Sequence, residues 1–443
     1  MTATTMVLRD NTIYSSNAEN LESYLALRQI ANKRISELLD EKGNSVLIYP
    51  HSFCQCEDDA GQQYLLSLRT NWEGNGCTNA VIETGNMVGF VGVNGHSISI
   101  HSRFAENKEE DFFLHYMLQK VLHINIVNLL HSTNNENVFD FLLLLFPKFL
   151  NEALSQGLYK QYQRNEYNDA KVRGPISISR HLKTNMPFNG RIAYRTREFS
   201  YDNNVTELIR HTIEYISNTQ FGKMLLENDA DTHTSVAQII AATPTYSKLE
   251  RAKIINCNSK TLRHPYYSRY TPLQKLCLRI LKHEKVKYGR NEDEVSGVLF
   301  DVSYLWEEYL AVLLTQMGFS HPNNKKGTGR IYLANNNMLP RYPDFYRDND
   351  KYIIDAKYKR EISRDDVHQM ITYMYRLKGM NGTFVQPSVK HKKECYDLLG
   401  YGAECNARLQ TYSYPISQVS NDYNKFVEDM KLSENMFMAE FRV

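Results

Sequence analysis

The chain has 443 residues, of which 42% are hydrophobic and 23% charged, as in ordinary globular domains, and its length permits two or three of them. Its formal net charge is only +2, which excludes a globally basic nucleic-acid-binding protein, so any DNA-binding surface must be local. No apolar run approaches the roughly 20 residues that span a bilayer, and the first residues lack a signal-peptide pattern. The seven cysteines are scattered, and we expect reduced thiols and a cytoplasmic location.

The first part of the chain is predicted to be mixed but β-rich. Helix is predicted over part of residues 1–40, because apolar residues recur there at near-helical spacing. Residues 45–104 alternate between apolar and polar side chains in short runs, which favours strands. The strand candidates are Ser45–Tyr49, Leu65–Leu68, Met87–Val93 and Ser97–Ile100. The sequence Val93-Asn94-Gly95-His96 is typical of a hairpin turn between the last two.

The sequence evidence for a zinc site in this part is weak. Cys54 and Cys56 are the only closely spaced cysteines, with His51 nearby and Cys77 further along the chain. Their spacing differs from the usual paired Cys-x-x-Cys knuckles. We therefore interpret these thiols as free of metal.

The middle of the chain changes to a helical pattern. Helix is predicted from Glu109 onward, over Val138–Tyr162, and at about 205–228 and 271–284. Residues 163–200 form a polar, basic segment between these helices. We see no internal repeat or low-complexity segment.

Two local concentrations of basic residues are candidate DNA-binding surfaces. Lys160 to Arg197 holds nine Lys or Arg against two acids, and Arg251 to Arg290 holds eleven against one acid, with tyrosines interleaved. Phosphates are attracted to such charge, and tyrosine rings can stack on exposed bases. The candidate contacts are Arg191, Arg195, Arg263, Arg269 and Tyr270. Solvated faces, or docking of an acidic partner, are the alternative interpretation.

The most informative motif lies nearer the C-terminus. Asp344 follows Pro343 at the start of a predicted strand, a polar turn follows at residues 348–350, and a second apolar strand ends in Asp355-Ala356-Lys357. Residues two apart on a strand share a face, so Asp355 and Lys357 should point the same way. Two carboxylates suit a hard cation such as Mg²⁺, and a nearby ammonium can orient a water. This is the chemistry of metal-assisted phosphodiester hydrolysis.

The motif resembles that of the PD-(D/E)xK nuclease superfamily, in which a Pro-Asp pair is followed by Asp or Glu, any residue and Lys. The resemblance implies a Mg²⁺ site formed by Asp344, Asp355, the carbonyl of Ala356 and a carboxylate from a preceding helix. Glu307 is the better match for that carboxylate, with Glu308 second. On the following helix, Gln369 and Tyr373 lie four residues apart, on one face, and are expected to support Lys357 or to touch the backbone.

A closer resemblance covers residues 85 to about 375. The segments Gly157–Tyr162, Asn189–Ile192, Ser200–Ile209 and Val91–Phe104 are similar to the McrC family of modification-dependent restriction systems, which includes LlaJI-type subunits. This implies an endonuclease subunit whose N-terminal part engages and stimulates an AAA+ GTPase. The chain departs from the family at Ile100-His101-Ser102-Arg103-Phe104, where a Pro-Lys pair is usual.

Nucleotide hydrolysis is not expected of this chain itself. The one Gly-Lys pair worth testing as a phosphate-binding loop is Gly222-Lys223, but Met224 follows it and Ser217 stands where the first glycine belongs. A motor subunit would therefore have to come from a partner.

The expected fold is α/β overall. We predict a β-rich N-terminal domain (1–135) for partner binding, a helical and basic middle region (136–289) for DNA contact, and a C-terminal restriction-endonuclease-like α/β domain (290–443). The expected function is a Mg²⁺-dependent DNA endonuclease subunit. The alternatives are a non-catalytic regulator of an AAA+ motor with a vestigial nuclease fold and, less favoured, a free-standing repair nuclease.

Overall fold

The structure of the chain is a computed structural model. It describes residues 5–16, 21–40, 45–50, 64–73, 76–93, 96–105, 111–122, 137–227, 229–286, 296–322, 328–399 and 407–442. The chain divides into two compact units. The first combines Met1–His131 with Asn291–Val443, and the second is Ser132–Arg290. A mixed α/β architecture is confirmed.

The N-terminal part of the first unit is rich in short strands. Its elements in chain order are β1 Thr5–Arg9, β2 Ile13–Ser15, α1 Leu21–Ala26, α2 Ile35–Asp40, β3 Ser45–Tyr49, β4 Leu66–Glu73, β5 Gly76–Thr84, β6 Met87–Val93, β7 His96–His101 and α3 Phe112–Leu122.

The second unit is mainly helical. Its elements are α4 Asn137–Leu154, β8 Gln161–Asp169, α5 Ile178–Thr184, β9 Ile192–Ser200, α6 Asn204–Ile216, α7 Gln220–Glu227, α8 Ala230–Ala242, α9 Arg251–Cys257 and α10 Tyr270–Val286.

The C-terminal part completes the first unit. Its elements are β10 Ser296–Asp301, α11 Val302–Leu314, β11 Ile331–Ala334, β12 Met338–Arg341, β13 Phe345–Arg347, β14 Tyr352–Ala356, α12 Arg364–Leu377, β15 Asn381–Ser388, β16 Lys392–Leu398, β17 Ala407–Pro415 and α13 Tyr423–Glu440. Short 3₁₀ turns occupy Leu27–Gln29, Lys248–Glu250 and Thr315–Met317.

One five-stranded sheet joins distant parts of the first unit in the order β1-β7-β6-β10-β3. Strand β10 pairs parallel with β3 and antiparallel with β6, although both lie far upstream of it in the sequence. Gly89 of β6 permits this approach, because a Cβ at its position would lie 2.3 Å from the carbonyl oxygen of Val298. Its φ of +130° also belongs to the region that favours glycine.

A second five-stranded sheet carries the predicted hairpin, in the order β13-β14-β15-β17-β16. Strands β13 and β14 pair antiparallel, and β14 runs parallel to β15, with α12 as the crossover. Helix α12 buries one stripe of side chains against this sheet, including Met370, Tyr373 and Met374, in a cluster with Ile353 and Phe384. Apolar spacing on α12 therefore determines which face meets the strands.

Helix α11 is fixed by buried polar contacts as well as by packing. The Tyr309 hydroxyl lies 2.8 Å from that of Tyr414 and donates to Glu434 Oε1 at 3.0 Å. Tyr116 also donates to this oxygen, and Lys120 pairs with Glu434 Oε2 at 2.7 Å. Glu434 is thus a buried carboxylate with several donors, and it ties α3, α11, β17 and α13 together.

Some predicted elements needed correction. The helix predicted over Val138–Tyr162 ends at Leu154, and Tyr162 lies in β8. The polar, basic segment 163–200 contains much of an antiparallel hairpin, because β8 pairs with β9 along its whole length. Its strands are only partly buried, so they lack the apolar alternation by which strands are recognised.

Other predictions were confirmed or fall outside the described residues. Strands β3, β6 and β7 match three of the strand candidates, and β4 begins one residue after the start of the fourth and runs on to Glu73. Residues 94–95 of the predicted turn lie outside the described residues, although Val93 pairs with His96. The considered zinc cluster of His51, Cys54 and Cys56 also lies outside them. No helix within the described ranges is long and apolar enough to cross a membrane.

A buried ion pair anchors the segment that departs from the family pattern. The Arg103 guanidinium pairs with Asp10 Oδ2 at 2.7 Å, and both side chains are almost fully buried. Arg103 also donates to Asn86 Oδ1 at 2.6 Å. Burial raises the pKa of Asp10 to about 6 against the opposing effect of Arg103, so the carboxyl is charged at neutral pH.

We expect Asp10→Ala to lower the free energy of unfolding by about 3 kcal/mol, because it leaves the buried guanidinium without its carboxylate. Urea unfolding followed by circular dichroism measures this. The matched control is Asp348→Ala, which removes an exposed carboxylate 3.3 Å from Lys351 and should cost less than about 0.5 kcal/mol. A loss as small as that of the control would contradict a structural role for the pair. Adding Arg103→Met to Asp10→Ala should recover part of the lost free energy of unfolding, because it removes the guanidinium charge that Asp10→Ala leaves without a carboxylate.

Candidate active site

The hairpin places the predicted residues where β13 begins and β14 ends. Asp344 immediately precedes β13, and residues 348–351 make the turn. Asp355 and Ala356 are the last residues of β14, and Lys357 follows. This placement follows from strand pairing, because Phe345 lies opposite Ile354 and so brings Asp344 beside Asp355 and Ala356.

Asp355 and Lys357 point to the same side, as predicted. Lys357 Nζ lies 2.6 Å from Asp355 Oδ2, and Asp355 is 1% exposed. Burial lowers the pKa of Lys357, but the carboxylates of Asp355 and Asp344 outweigh this and raise the pKa above its usual value. The lysine is therefore a cation at neutral pH, and it is suited to binding a phosphate or orienting a water rather than to acting as a base.

Asp344 is held against the backbone of the other strand. Its Oδ2 accepts a hydrogen bond from the Ala356 N–H at 2.9 Å. Burial, and then repulsion from Glu307 and Asp355, raises the pKa of Asp344 well above its usual range. Burial likewise raises the pKa of Asp355, against the opposing effect of Lys357. Two carboxylates that resist ionisation together favour a bound cation between them.

Gln369 and Tyr373 support the lysine in a chain of hydrogen bonds. Lys357 Nζ donates to Gln369 Oε1 at 3.1 Å, and Gln369 Nε2 donates to the Tyr373 hydroxyl at 2.6 Å. That hydroxyl in turn donates to the carbonyl oxygen of Tyr342 at 3.0 Å. The chain links α12 back to the segment before Asp344, so it fixes the lysine relative to the carboxylates.

Asp366 was not predicted as part of the site. Its Oδ1 lies 3.8 Å from Lys357 Nζ, and its Oδ2 pairs with Lys359 and accepts from Ser363. Asp366 and Ser363 together form a capping box at the start of α12. The Ser-x-x-Asp spacing could have marked the helix start, but only the fold brings this cap close to Lys357.

The Glu307 and Glu308 carboxylates of α11 lie close to His321, which was not predicted from the sequence. His321 Nδ1 lies 3.0 Å from the Asp344 carbonyl oxygen and 4.0 Å from Glu307 Oε1, and Nε2 lies 3.6 Å from Glu308 Oε1. The imidazole stacks on Phe345 with ring centroids 4.7 Å apart. Burial lowers the pKa of His321, but contacts with Glu308, the Asp344 carbonyl and Glu307 raise it overall. A lone histidine gives no pattern by which its role could be recognised.

The donor set fits Mg²⁺ better than a softer metal. Among the described residues, no group of three or more His, Cys, Asp or Glu side chains is arranged to hold a metal ion. Mg²⁺ does not need such a cage, because it keeps several waters and binds through one or two carboxylates together with substrate phosphates. Asp344 and Asp355, with the Ala356 carbonyl, offer oxygen ligands of this kind. Glu307 affects the pKa of Asp344, and its role as a further ligand stays a prediction.

The five candidate DNA-contact residues all lie in the second unit. Arg191, Arg195, Arg263 and Arg269 are exposed, and Arg269 donates to Ser155 Oγ at 2.8 Å. Tyr270 is fully buried, and its hydroxyl donates to the Gly157 carbonyl at 2.7 Å and accepts from the Tyr159 N–H at 3.1 Å. Its ring therefore belongs to the core of the unit and is not presented to a base.

The fold and site define a mixed α/β protein with one buried carboxylate, one partly buried carboxylate and a lysine at the edge of a sheet. The family model of the McrBC 5-methylcytosine restriction system component matches residues 82–387, more than half of the chain, and the chain belongs to this family. The resemblance found in the sequence is thereby confirmed. No curated protein matches the chain.

Two solved structures from Thermococcus gammatolerans are similar at low identity. One is a refined half-complex from a tetradecameric assembly of McrB AAA+ hexamers with bound McrC, with 14% identity, a TM-score of 0.46, and 98% of this chain and 100% of that chain covered. The other is a cryo-EM structure of the McrBC complex, with 14% identity, a TM-score of 0.34, and 71% and 88% covered. Because both TM-scores lie below 0.5, neither likeness supports a functional inference for this chain.

We expect Asp344→Asn to stabilise the metal-free protein at neutral pH, by on the order of 1 kcal/mol, because an amide avoids the cost of a partly buried charge next to other carboxylates. The raised pKa of Asp344 means that this cost is absent at acid pH and appears as pH rises through the folded-state pKa. The advantage of the variant should therefore grow with pH. Thermal unfolding in a chelator at several pH values measures it.

Adding Mg²⁺ to the same samples tests the ligand role of Asp344. Magnesium should raise the unfolding midpoint of the wild type and of the control Asp348→Asn, but not that of Asp344→Asn. Equal responses in all three proteins would contradict the assignment.

Proposed function

We propose that this chain is a Mg²⁺-dependent DNA endonuclease subunit of its restriction system, with a nuclease domain of the PD-(D/E)xK type. The observation that carries the proposal is the convergence of Asp344, Asp355 and Lys357 at the edge of one sheet, with Lys357 held by both Asp355 and Gln369. A vestigial site would be expected to have lost the lysine or a carboxylate, and this chain retains all three.

The residues have distinct roles in this proposal. Asp344, Asp355 and the Ala356 carbonyl bind Mg²⁺, and Glu307 completes or supports the site. The bound ion would polarise the phosphodiester and lower the pKa of a coordinated water. Lys357 positions the attacking water and balances the negative charge that develops on the phosphate. Gln369 and Tyr373 hold the lysine in place, and Asp366 keeps its ammonium oriented.

The partners follow from the family and the charge distribution. We propose an AAA+ GTPase partner, engaged through residues 1–135 and stimulated by this chain, in the cytoplasm. Arg191, Arg195, Arg263 and Arg269 are proposed DNA contacts, since exposed guanidinium groups bind phosphates. One site of this kind cuts one strand, so a double-strand break requires two copies of the chain or two collided complexes.

Plasmid cleavage with Mg²⁺ tests the site, using the full chain with its AAA+ partner and nucleotide. We expect Asp355→Ala and Lys357→Ala to reduce the cleavage rate by about a hundred-fold or more, because each removes charge that acts on the reacting phosphate. The matched control is Asp348→Ala, on the turn of the same hairpin, which should cleave like the wild type.

Stimulation of the partner's GTP hydrolysis serves as the second readout, and it should survive in all of these variants. If the wild type failed to cleave modified and unmodified DNA but still stimulated the partner, the chain would be a regulator with a vestigial nuclease fold. If it cleaved equally well with Asp355 or Lys357 removed, the catalytic site would lie elsewhere.

A further inference from the structure

A cleft of about 460 Å³ opens between β12 and the first turns of α12. Its walls come from Arg341 and Tyr342 on one side and from His368 and Thr372 on the other. Gln369 and Tyr373 also line it, and Asp365 and Pro340 lie at its exposed rim. A volume of this size lies within the range of small-molecule binding pockets.

The cleft adjoins the catalytic lysine. Gln369, which lines it, accepts the hydrogen bond from Lys357 Nζ at 3.1 Å, and Tyr373 continues the same chain to Tyr342. A phosphate that contacts Lys357 would therefore lie one side chain away from the cleft. Successive phosphates of a DNA strand are spaced by about 3.4 Å of helix rise, so the neighbouring nucleotide of the same strand reaches it.

The lining suits a nucleotide in particular. Arg341 donates to the Pro340 carbonyl at 2.9 Å through Nη1, and its guanidinium carries four further N–H donors that can meet a phosphate. Tyr342 offers a ring for stacking, with the Arg330 guanidinium 5.6 Å from its centroid. The His368 imidazole lies on the opposite wall, and the Asp365 carboxylate can accept from an exocyclic amine of a base.

We propose that this cleft binds the nucleotide of the cleaved DNA strand that adjoins the scissile phosphate. Arg341 contacts its phosphate, while Tyr342 and His368 flank its base. The inference rests on the proposed nuclease function and deepens it, because it assigns the path of the cleaved strand along α12. It also identifies a surface where the base next to the cut can affect cleavage.

The test combines a substitution that fills the cleft with one that removes its cation. Thr372→Phe places a ring in the cleft without touching Lys357, Asp355 or Asp344, and Arg341→Ala removes the phosphate contact. The matched control is Arg364→Ala, which removes an exposed guanidinium from the start of the same helix but does not line the cleft. Circular dichroism and thermal unfolding establish that the variants are folded.

Binding is measured with the full-length chain and a short fluorescent duplex in Ca²⁺, without cleavage, and the KM for DNA is measured in Mg²⁺ with the AAA+ partner. We expect Thr372→Phe and Arg341→Ala each to weaken binding and raise KM by about ten-fold, since a stacked base and a phosphate contact are lost. Arg364→Ala should change both by less than about two-fold.

The outcomes separate this inference from the proposed function. If the wild type cleaves DNA and both cleft variants keep its DNA affinity and KM, the cleft inference is overturned and the nuclease proposal stands. If the cleft variants bind the duplex more weakly but the wild type does not cleave DNA, DNA binding by the cleft is supported and the nuclease proposal is overturned. Weakening by Arg364→Ala equal to that by Arg341→Ala would also overturn the inference, because only general charge would then matter.

Discussion

The candidate site depends on bringing three charged groups together, one buried and two partly buried, where β13 begins and β14 ends. Asp355 is almost fully buried and paired with Lys357 at 2.6 Å, while Asp344 is crowded by Asp355 and Glu307. Burial raises the pKa of each carboxyl, and a single lysine cannot neutralise them all. Such an arrangement is costly, and a bound divalent cation would relieve the cost. Stability and proposed function therefore oppose each other at this site.

The rest of the first unit makes this crowding tolerable by fixing the elements that carry the charges. Glu434 ties α11 to its neighbours through tyrosine hydroxyls, and α11 presents Glu307 and Glu308. On the other side of the hairpin, the Tyr358 hydroxyl lies 2.6 Å from Ser102 Oγ, and Arg103 lies over the Tyr358 ring at 5.1 Å. Since Tyr358 directly follows Lys357, the Ser102-Arg103 segment, where this chain departs from the family pattern, packs against the residue next to this lysine.

The periodic spacing of residues along strands and helices predicted those features of the site that depend only on neighbouring residues. The hairpin, its polar turn and the shared face of Asp355 and Lys357 follow from the two-residue period of a strand, and the contact between Gln369 and Tyr373 follows from helical spacing. The hairpin of β8 and β9 was missed because its exposed strands lack apolar alternation. Tyr270 was taken for a surface residue because nothing in its basic surroundings indicates burial.

By itself the sequence determined the family, the mixed α/β class and the identity of the residues proposed to bind Mg²⁺, because these depend on residue types at short, regular spacings. The tertiary structure alone decided the contacts between distant segments. It placed β10 in the N-terminal sheet, Asp366 beside Lys357, and His321 between the Asp344 carbonyl and the glutamates of α11. Packing sets these contacts through close approaches such as that at Gly89, and no periodic signal in one sequence records which distant residues meet.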